Sequence, residues 1–203
     1  KISVFYEDAQ MTDCSNERQL AEAARLLRRI QQLPITMPNF DSNYSRTQRF
    51  QVYAREAGWQ FSSSYLADCK QYLAPDSFSR MADPRYLTHG DFIPGNVLFL
   101  PGKTPIVVDW EFPAMGGRWN DLAAFFMHGS LDLEHSAYML TAFLEKDATA
   151  SEWQELAAVC VGCSLMWYAW AAYKLQKTGD RLYRNFAENC LKYAEIWKSE
   201  VRP

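Results

Sequence analysis

The sequence predicts a mainly α-helical domain with a few short β-strands. Apolar residues recur at helical spacing through "NERQLAEAARLLRRIQQL", ending at Leu33, and through nearly everything after Asp121. The apolar runs that could form strands are short, and they gather around one Pro-Gly turn, Pro101-Gly102. No repeat or low-complexity tract interrupts this pattern.

The elements follow in order. The opening alternation "ISVFY" reads as a strand, and "EDAQMTDCSNE" carries turn and cap residues, with Ser15 or Asn16 capping the first helix. Residues 34–45 read as a loop, followed by helices over 47–57 and 62–74, punctuated by Gly58 and Pro75. A short strand is expected over 87–89, and a hairpin pairs 97–100 with 106–109 around "PGKT". Asn120 or Asp121 precedes the next helix, 136–146 form a short amphipathic one, and Ser151 is expected to cap a long apolar helix. "KTGD" breaks that helix before a last one running to about Ser199.

The chain of 203 residues is expected to form one large domain. A formal charge of −3 and a pI near 5.7, with bases dispersed among acids, argue against a nucleic-acid partner. The five cysteines are odd in number and mostly sit in apolar, helix-like surroundings, which suits a reducing compartment, so a cytoplasmic location is expected. Leu156 to Tyr173 carries no charge and approaches the length of a membrane span. Its Gly, Ser, Cys and clustered aromatics fit a central helix buried in a globular domain better, so no membrane span is expected.

The chemistry is concentrated in "LTHGDFIPGNVLFLPGKTPIVVDWEF", residues 87–112. Asp91 is followed five positions later by Asn96, then a hairpin, then Asp109 at the end of an apolar run. A loop acid, a nearby side-chain amide and a second acid at a strand end can converge on one hard cation and one hydroxyl, as phosphoryl transfer requires. Each residue alone could instead satisfy local backbone groups; the combination is what points to function.

"HGDFIPGN" and "VVDWEF" resemble the catalytic loop and metal-binding segment of the aminoglycoside phosphotransferase and choline kinase superfamily, small-molecule relatives of the protein kinases. The resemblance implies the carboxy-terminal lobe of a protein-kinase-like fold, with ATP as co-substrate and Mg²⁺ as cofactor. It implies Asp91 as catalytic base, His89 as a brace of the loop, and Asn96 and Asp109 as Mg²⁺ ligands. Asp121, in "GGRWNDLAAF", matches an acid that anchors the following helix. Residues 1–10 would be the last strand of an amino-terminal lobe running into the hinge, with Phe5, Tyr6 and Glu7 beside the adenine. Residues 11–203 would be the helical catalytic lobe. The family's phosphate-clamping hairpin, Lys and Glu do not occur ahead of residue 1, so this stretch alone is expected to turn over poorly.

For the acceptor, Trp167 and Trp170 share a helix face and resemble the W-x-x-W of choline kinases. Phe112 matches another aromatic of that cage, Phe186 stands where choline kinases carry a Tyr, and Glu111 would add a carboxylate. Aromatic faces and one acid hold a quaternary ammonium at about 0.5 to 2 kcal/mol per face. Tryptophans at this spacing also serve as core, and Tyr168 and Tyr173 are read that way. The family's "LH" after the first long helix is replaced here by "IQQL". Bacterial thiamine kinases share the D-W-E segment and the "TGD" break, so thiamine competes with choline, and a degenerate lobe used as a binding module is the non-enzymatic alternative. Cys160-Val-Gly-Cys163 lies inside the apolar helix and is not read as a redox or zinc motif; His128 and His135 are expected at the surface or at helix ends.

Overall fold

The computed structural model describes residues 8–39, 41–73 and 85–201. The opening strand, the adenine-side residues Phe5, Tyr6 and Glu7, and the Pro75 boundary lie outside the described residues.

Seven helices are present among the described residues. In α1 (Glu17–Gln31), Asn16 accepts a hydrogen bond from the Gln19 amide at 3.3 Å, and Leu20, Ala23, Ala24, Leu27 and Ile30 form one buried stripe against α5. Helix α2 (Asn43–Glu56) starts four residues earlier than its apolar pattern indicates, because the Ser42 hydroxyl caps the Ser45 amide at 3.2 Å. Helix α3 (Ser63–Leu73) follows as expected. Helices α4 (Asn120–Gly129) and α5 (Leu133–Leu144) come next, and α5 starts before the expected Ser136 because Asp132 accepts the His135 amide at 2.8 Å.

The 29-residue α6 (Ala150–Thr178) is the axis of the domain. Thr149, and not Ser151, is its cap: the Thr149 hydroxyl accepts the Glu152 amide while the Glu152 carboxylate accepts the Thr149 amide at 2.9 Å. The Thr149 backbone bond, helped by Lys146, pushes the Glu152 carboxyl down to about 2. Ser151 turns to Glu155 instead. Helix α7 (Arg181–Lys198), capped by Asp180, packs along α6, as do α2, α3 and α4. α6 is long and apolar enough to cross a membrane, yet 78% of its most apolar window is buried inside the domain. Burying a Leu or Met side chain stabilises by about 1.5–3 kcal/mol, so α6 is held mainly by its neighbours.

The five strands among the described residues form two small antiparallel sheets. One has the order β1-β3-β4, from Gln10–Met11, Val97–Phe99 and Ile106–Val107; the other pairs β2 (Tyr86–Thr88) with β5 (Ala114–Gly116). Thr88 lies opposite Ala114 and donates its hydroxyl to the Ala114 carbonyl at 2.9 Å. Strands β1 and β5, two and three residues long, were not among the expected elements; pairing, not residue pattern, defines them. The segment before α2 also lies along β5, where Met115 donates to the Pro38 carbonyl at 3.0 Å.

Thr149→Ala should lower the unfolding free energy by about 1 kcal/mol, while Ser151→Ala should stay within about 0.5 kcal/mol. Urea denaturation of the two variants checks the cap assignment.

Candidate active site

The chain crosses between the two sheets twice. Residues 89–96 carry it from β2 to β3, and residues 108–113 return it from β4 to β5. Asp91 and Asn96 lie on the outward crossing and Asp109 on the return.

Side chains stitch the crossings together. Asn96 donates its Nδ2 to both the Asp91 carbonyl, at 2.9 Å, and Asp91 Oδ2, at 3.0 Å. The Asn96 carbonyl accepts the Val108 amide at 2.9 Å, which places Asp109 beside Asn96. His89 Nδ1 accepts the Asp91 amide at 3.3 Å and its Nε2 lies 3.0 Å from the Val108 carbonyl, so the ring proton is assigned to Nε2. Trp110 folds over this histidine, with ring centroids 4.4 Å apart. At Gly90, φ is +80°, and a Cβ would lie 2.3 Å from the Phe112 carbonyl oxygen, so only glycine allows the return crossing to pass so close. Asp109 is also left-handed, at φ 66°, and its carboxylate is exposed.

Asp121 sits in the first turn of α4 and is 1% exposed. Its oxygens accept the His89 amide at 2.7 Å and the Gly90 amide at 3.1 Å. These bonds fasten α4 to the loop carrying Asp91. Burial pushes its carboxyl up to about 6, against the two backbone bonds. Burial also raises the Asp91 carboxyl above the usual range, with the Asn96 amide opposing, and lowers the His89 imidazole.

Asn96 uses its amide nitrogen on Asp91, which leaves Oδ1 to face a cation, and Asp109 offers exposed carboxylate oxygens. Among the described residues no three His, Cys, Asp or Glu side chains cluster at ligand distance. Mg²⁺ takes one or two protein oxygens and completes its shell with phosphates and water. The residues present fit that ion.

Residues 3–159 match the phosphotransferase enzyme family, APH. The chain belongs to that family. No curated protein matches the sequence significantly. Solved structures do resemble this phosphotransferase. A choline/ethanolamine kinase family protein from Mesorhizobium loti aligns over 98% of this chain and 73% of its own, with a TM-score of 0.80 and 16% identity. The choline kinase LicA from Streptococcus pneumoniae, also solved with AMP, gives 0.72 and 18% over 94% of this chain and 68% of its own. An aminoglycoside phosphotransferase from Alicyclobacillus acidocaldarius gives 0.59 and 16% over 97% and 68%. The mainly helical, kinase-like fold expected from sequence is the fold of this chain.

A cavity of about 530 Å³ opens beside Asp91 and Gly90, walled by Phe112, Trp167 and Trp170. The two indoles are half-buried, with centroids 5.2 Å apart at 82°. Lys174 already lies over Trp170, its Nζ 5.6 Å from the ring centroid, so one indole face carries a cation within the protein. The phosphotransferase places Phe186 behind the indoles, 6.2 Å from Trp167 and 6.1 Å from Trp170, outside the cavity wall. Glu111 is exposed and also outside that wall. Tyr168 is buried against Tyr65 and Tyr173 packs on Tyr53. A larger cleft of about 840 Å³ between α1 and the β3–β4 hairpin shares no residue with this site.

His128 lies at a helix end, as expected, but not at the surface. It lies in the last turn of α4 but points inward, its ring 4.8 Å from Trp167 and 5.4 Å from Phe186, and burial pushes its imidazole down to about 4. His135 does lie at a helix end, against Asp132. Cys160 and Cys163 are buried in α6, and burial pushes the Cys163 thiol up to about 12. Sequence reasoning also missed Asp41, Arg46, Arg49 and Phe50 in the cavity wall. The last three share one face of α2 at i, i+3 and i+4, a spacing the sequence displays without saying what that face meets.

Asp121→Asn puts an amide donor against a backbone donor, at a cost of about 1–3 kcal/mol. Steady-state kinetics should show roughly 5–150-fold lower kcat/KM with the fold retained. In the wild type, protonating Asp121 should lower activity as pH falls through about 6. Its raised value makes its stability contribution run the other way, present at low pH and lost as pH rises through 6. His128 is depressed from 6.5 to about 4, so its contribution is full above pH 6.5 and lost as pH falls toward 4. The stability difference between wild type and His128→Phe, followed by denaturation across that window, should shift against the wild type as pH falls.

Proposed function

We propose that this phosphotransferase moves the γ-phosphate of ATP to the hydroxyl of a small cationic alcohol, choline-like first. The observation that carries the reading is the Asn96-clamped, half-buried Asp91 opening onto a cavity walled by Trp167, Trp170 and Phe112. The acceptor hydroxyl oxygen attacks Pγ, the bond from Pγ to the β-bridging oxygen breaks, ADP leaves, and the hydroxyl proton passes to Asp91. Burial makes Asp91 a better base than an ordinary aspartate, while Asn96 holds Oδ2 in place. His89 positions the loop through its two ring nitrogens. Asn96 and Asp109 would hold Mg²⁺, which when bound neutralises charge on the phosphates. Phe5, Tyr6 and Glu7 are assigned to the adenine side by resemblance alone.

Support for the cationic acceptor comes from the aromatic wall and from the kinship of fold with proteins named as choline or ethanolamine kinases. The cavity volume also suits the larger thiamine, the second reading. Retention of Asp91, Asn96 and Asp109 together favours an enzyme over a degenerate binding module.

In the full-length protein, Asp91→Ala should lower kcat at least about 100-fold with an unchanged circular dichroism spectrum. Normal rates in that variant would overturn the assignment. Trp167→Ala and Trp170→Ala should each weaken choline binding roughly three- to thirty-fold by calorimetry; unchanged affinity would make both indoles core residues only.

A further inference from the structure

The cleft of about 840 Å³ between α1 and the β3–β4 hairpin has two walls that differ in kind. Arg18, Glu22, Arg25 and Arg29 recur at helical spacing along α1, on the face opposite its buried stripe. Arg28 pins this wall, because its guanidinium donates to the Phe143 and Leu144 carbonyls at the end of α5, at 3.0 and 2.9 Å. The other wall is apolar, made by Phe99, Leu100 and the buried Pro105, with Lys103 at the hairpin tip. The Lys103 amide donates to the Leu100 carbonyl at 3.1 Å and Gly102 takes a φ of +68°, which closes the turn and fixes where Lys103 stands. Both acids of the cleft are already matched, Glu22 by Arg18 at 2.9 Å and Glu145 by Arg28 at 3.1 Å. Among the described residues, the side chains of Arg25, Arg29 and Lys103 have no hydrogen-bond or ion-pair partner. A chain of net charge −3 thus gathers unmatched cations around one cleft.

We propose that this cleft is a docking surface for an extended segment of a partner protein in which acidic and apolar residues alternate. An extended chain sends successive side chains to opposite sides, so the carboxylates of such a segment meet the arginines of α1 while its apolar residues rest on Phe99, Leu100 and Pro105. From Arg18 to Arg29 the helix rises about 16 Å at 1.5 Å per residue, the length of about five extended residues. The layout favours a peptide over a compact anion. Arg25 and Arg29 are exposed and one turn apart, and Lys103 belongs to the facing hairpin, so positive charge runs along the groove and does not converge on one point. The apolar wall offers a phosphate group nothing, whereas an amphipathic segment buries its apolar side there. The cleft shares no residue with the cavity beside Asp91, so the inference stands apart from the reading of the acceptor.

The test titrates the full-length protein into a fluorescein-labelled peptide of alternating Glu and Leu, read by fluorescence anisotropy. The expected result is saturable binding that weakens as salt rises. A peptide of alternating Glu and Ser, with the same charge and no apolar side, should bind at least about fivefold more weakly. Arg25→Glu, Arg29→Glu and Lys103→Glu together should weaken the Glu-Leu peptide at least about tenfold, and Arg25→Gln, Arg29→Gln and Lys103→Gln together should weaken it less but in the same direction. Arg181→Glu, Arg184→Glu and Lys192→Glu, the same change of charge at exposed positions of α7, should leave its affinity unchanged. Thermal unfolding checks that the variants fold. Absence of binding, equal affinity for the two peptides, or equal loss in the two charge-reversed proteins overturns the inference. Binding of tripolyphosphate or of phosphatidylglycerol vesicles that the cleft substitutions abolish, with the Glu-Leu peptide unbound, overturns it in favour of a small polyanion or a membrane surface.

Discussion

One buried carboxylate organises the site. Asp121 takes the amides of His89 and Gly90 on its two oxygens, and without it those donors would be buried next to α4 with nothing to accept them. Because Asp121 lies in the first turn of α4, and α4 packs on α6, the loop that carries Asp91 takes its position from the helical core. Strands of two or three residues could not fix a loop so firmly on their own. The cost is visible in the carboxyl itself, which burial holds near 6 although it is fully hydrogen-bonded.

From that anchor the geometry propagates through short links. His89 spans from the Asp91 amide to the Val108 carbonyl, Asn96 spans from Val108 back to Asp91, and Gly90 leaves room for Phe112 to pass. Each link is an ordinary hydrogen bond or a missing methyl. Together they bring Asp91, Asn96 and Asp109, separated by a hairpin in the chain, onto the two neighbouring crossings between the sheets. The neutral state of His89 belongs to the same scheme, since a second ring proton would face the Asp91 amide.

Helix α6 serves two demands at once. Its buried residues hold α2, α4 and α7, while Trp167 and Trp170 leave it half-buried toward the cavity. The indoles are braced from behind by Phe186, His128 and Tyr183, so their orientation is set by the core and not by a ligand. An aromatic wall braced in this way would lose little freedom on binding any ligand.

Local chemistry made much of this legible in the sequence. Helical spacing marked α1, α6 and α7; the Asn16 cap and the "KTGD" break were readable because capping and chain reversal depend on a few adjacent residues. The grouping of Asp91, Asn96 and Asp109 was readable because all three flank one short hairpin in the chain. The starts of α2, α5 and α6 were misplaced because several Ser, Thr and Asp candidates stood near each boundary, and only the backbone decides which hydroxyl or carboxylate meets an orphan amide. β1 and β5 carry no pattern because two or three residues become a strand only by pairing. The inward turn of His128, the loop-fastening role of Asp121 and the arginine face of α2 were decided by tertiary structure alone, since each depends on what lies across from a side chain, and that neighbour is tens of residues away in the chain.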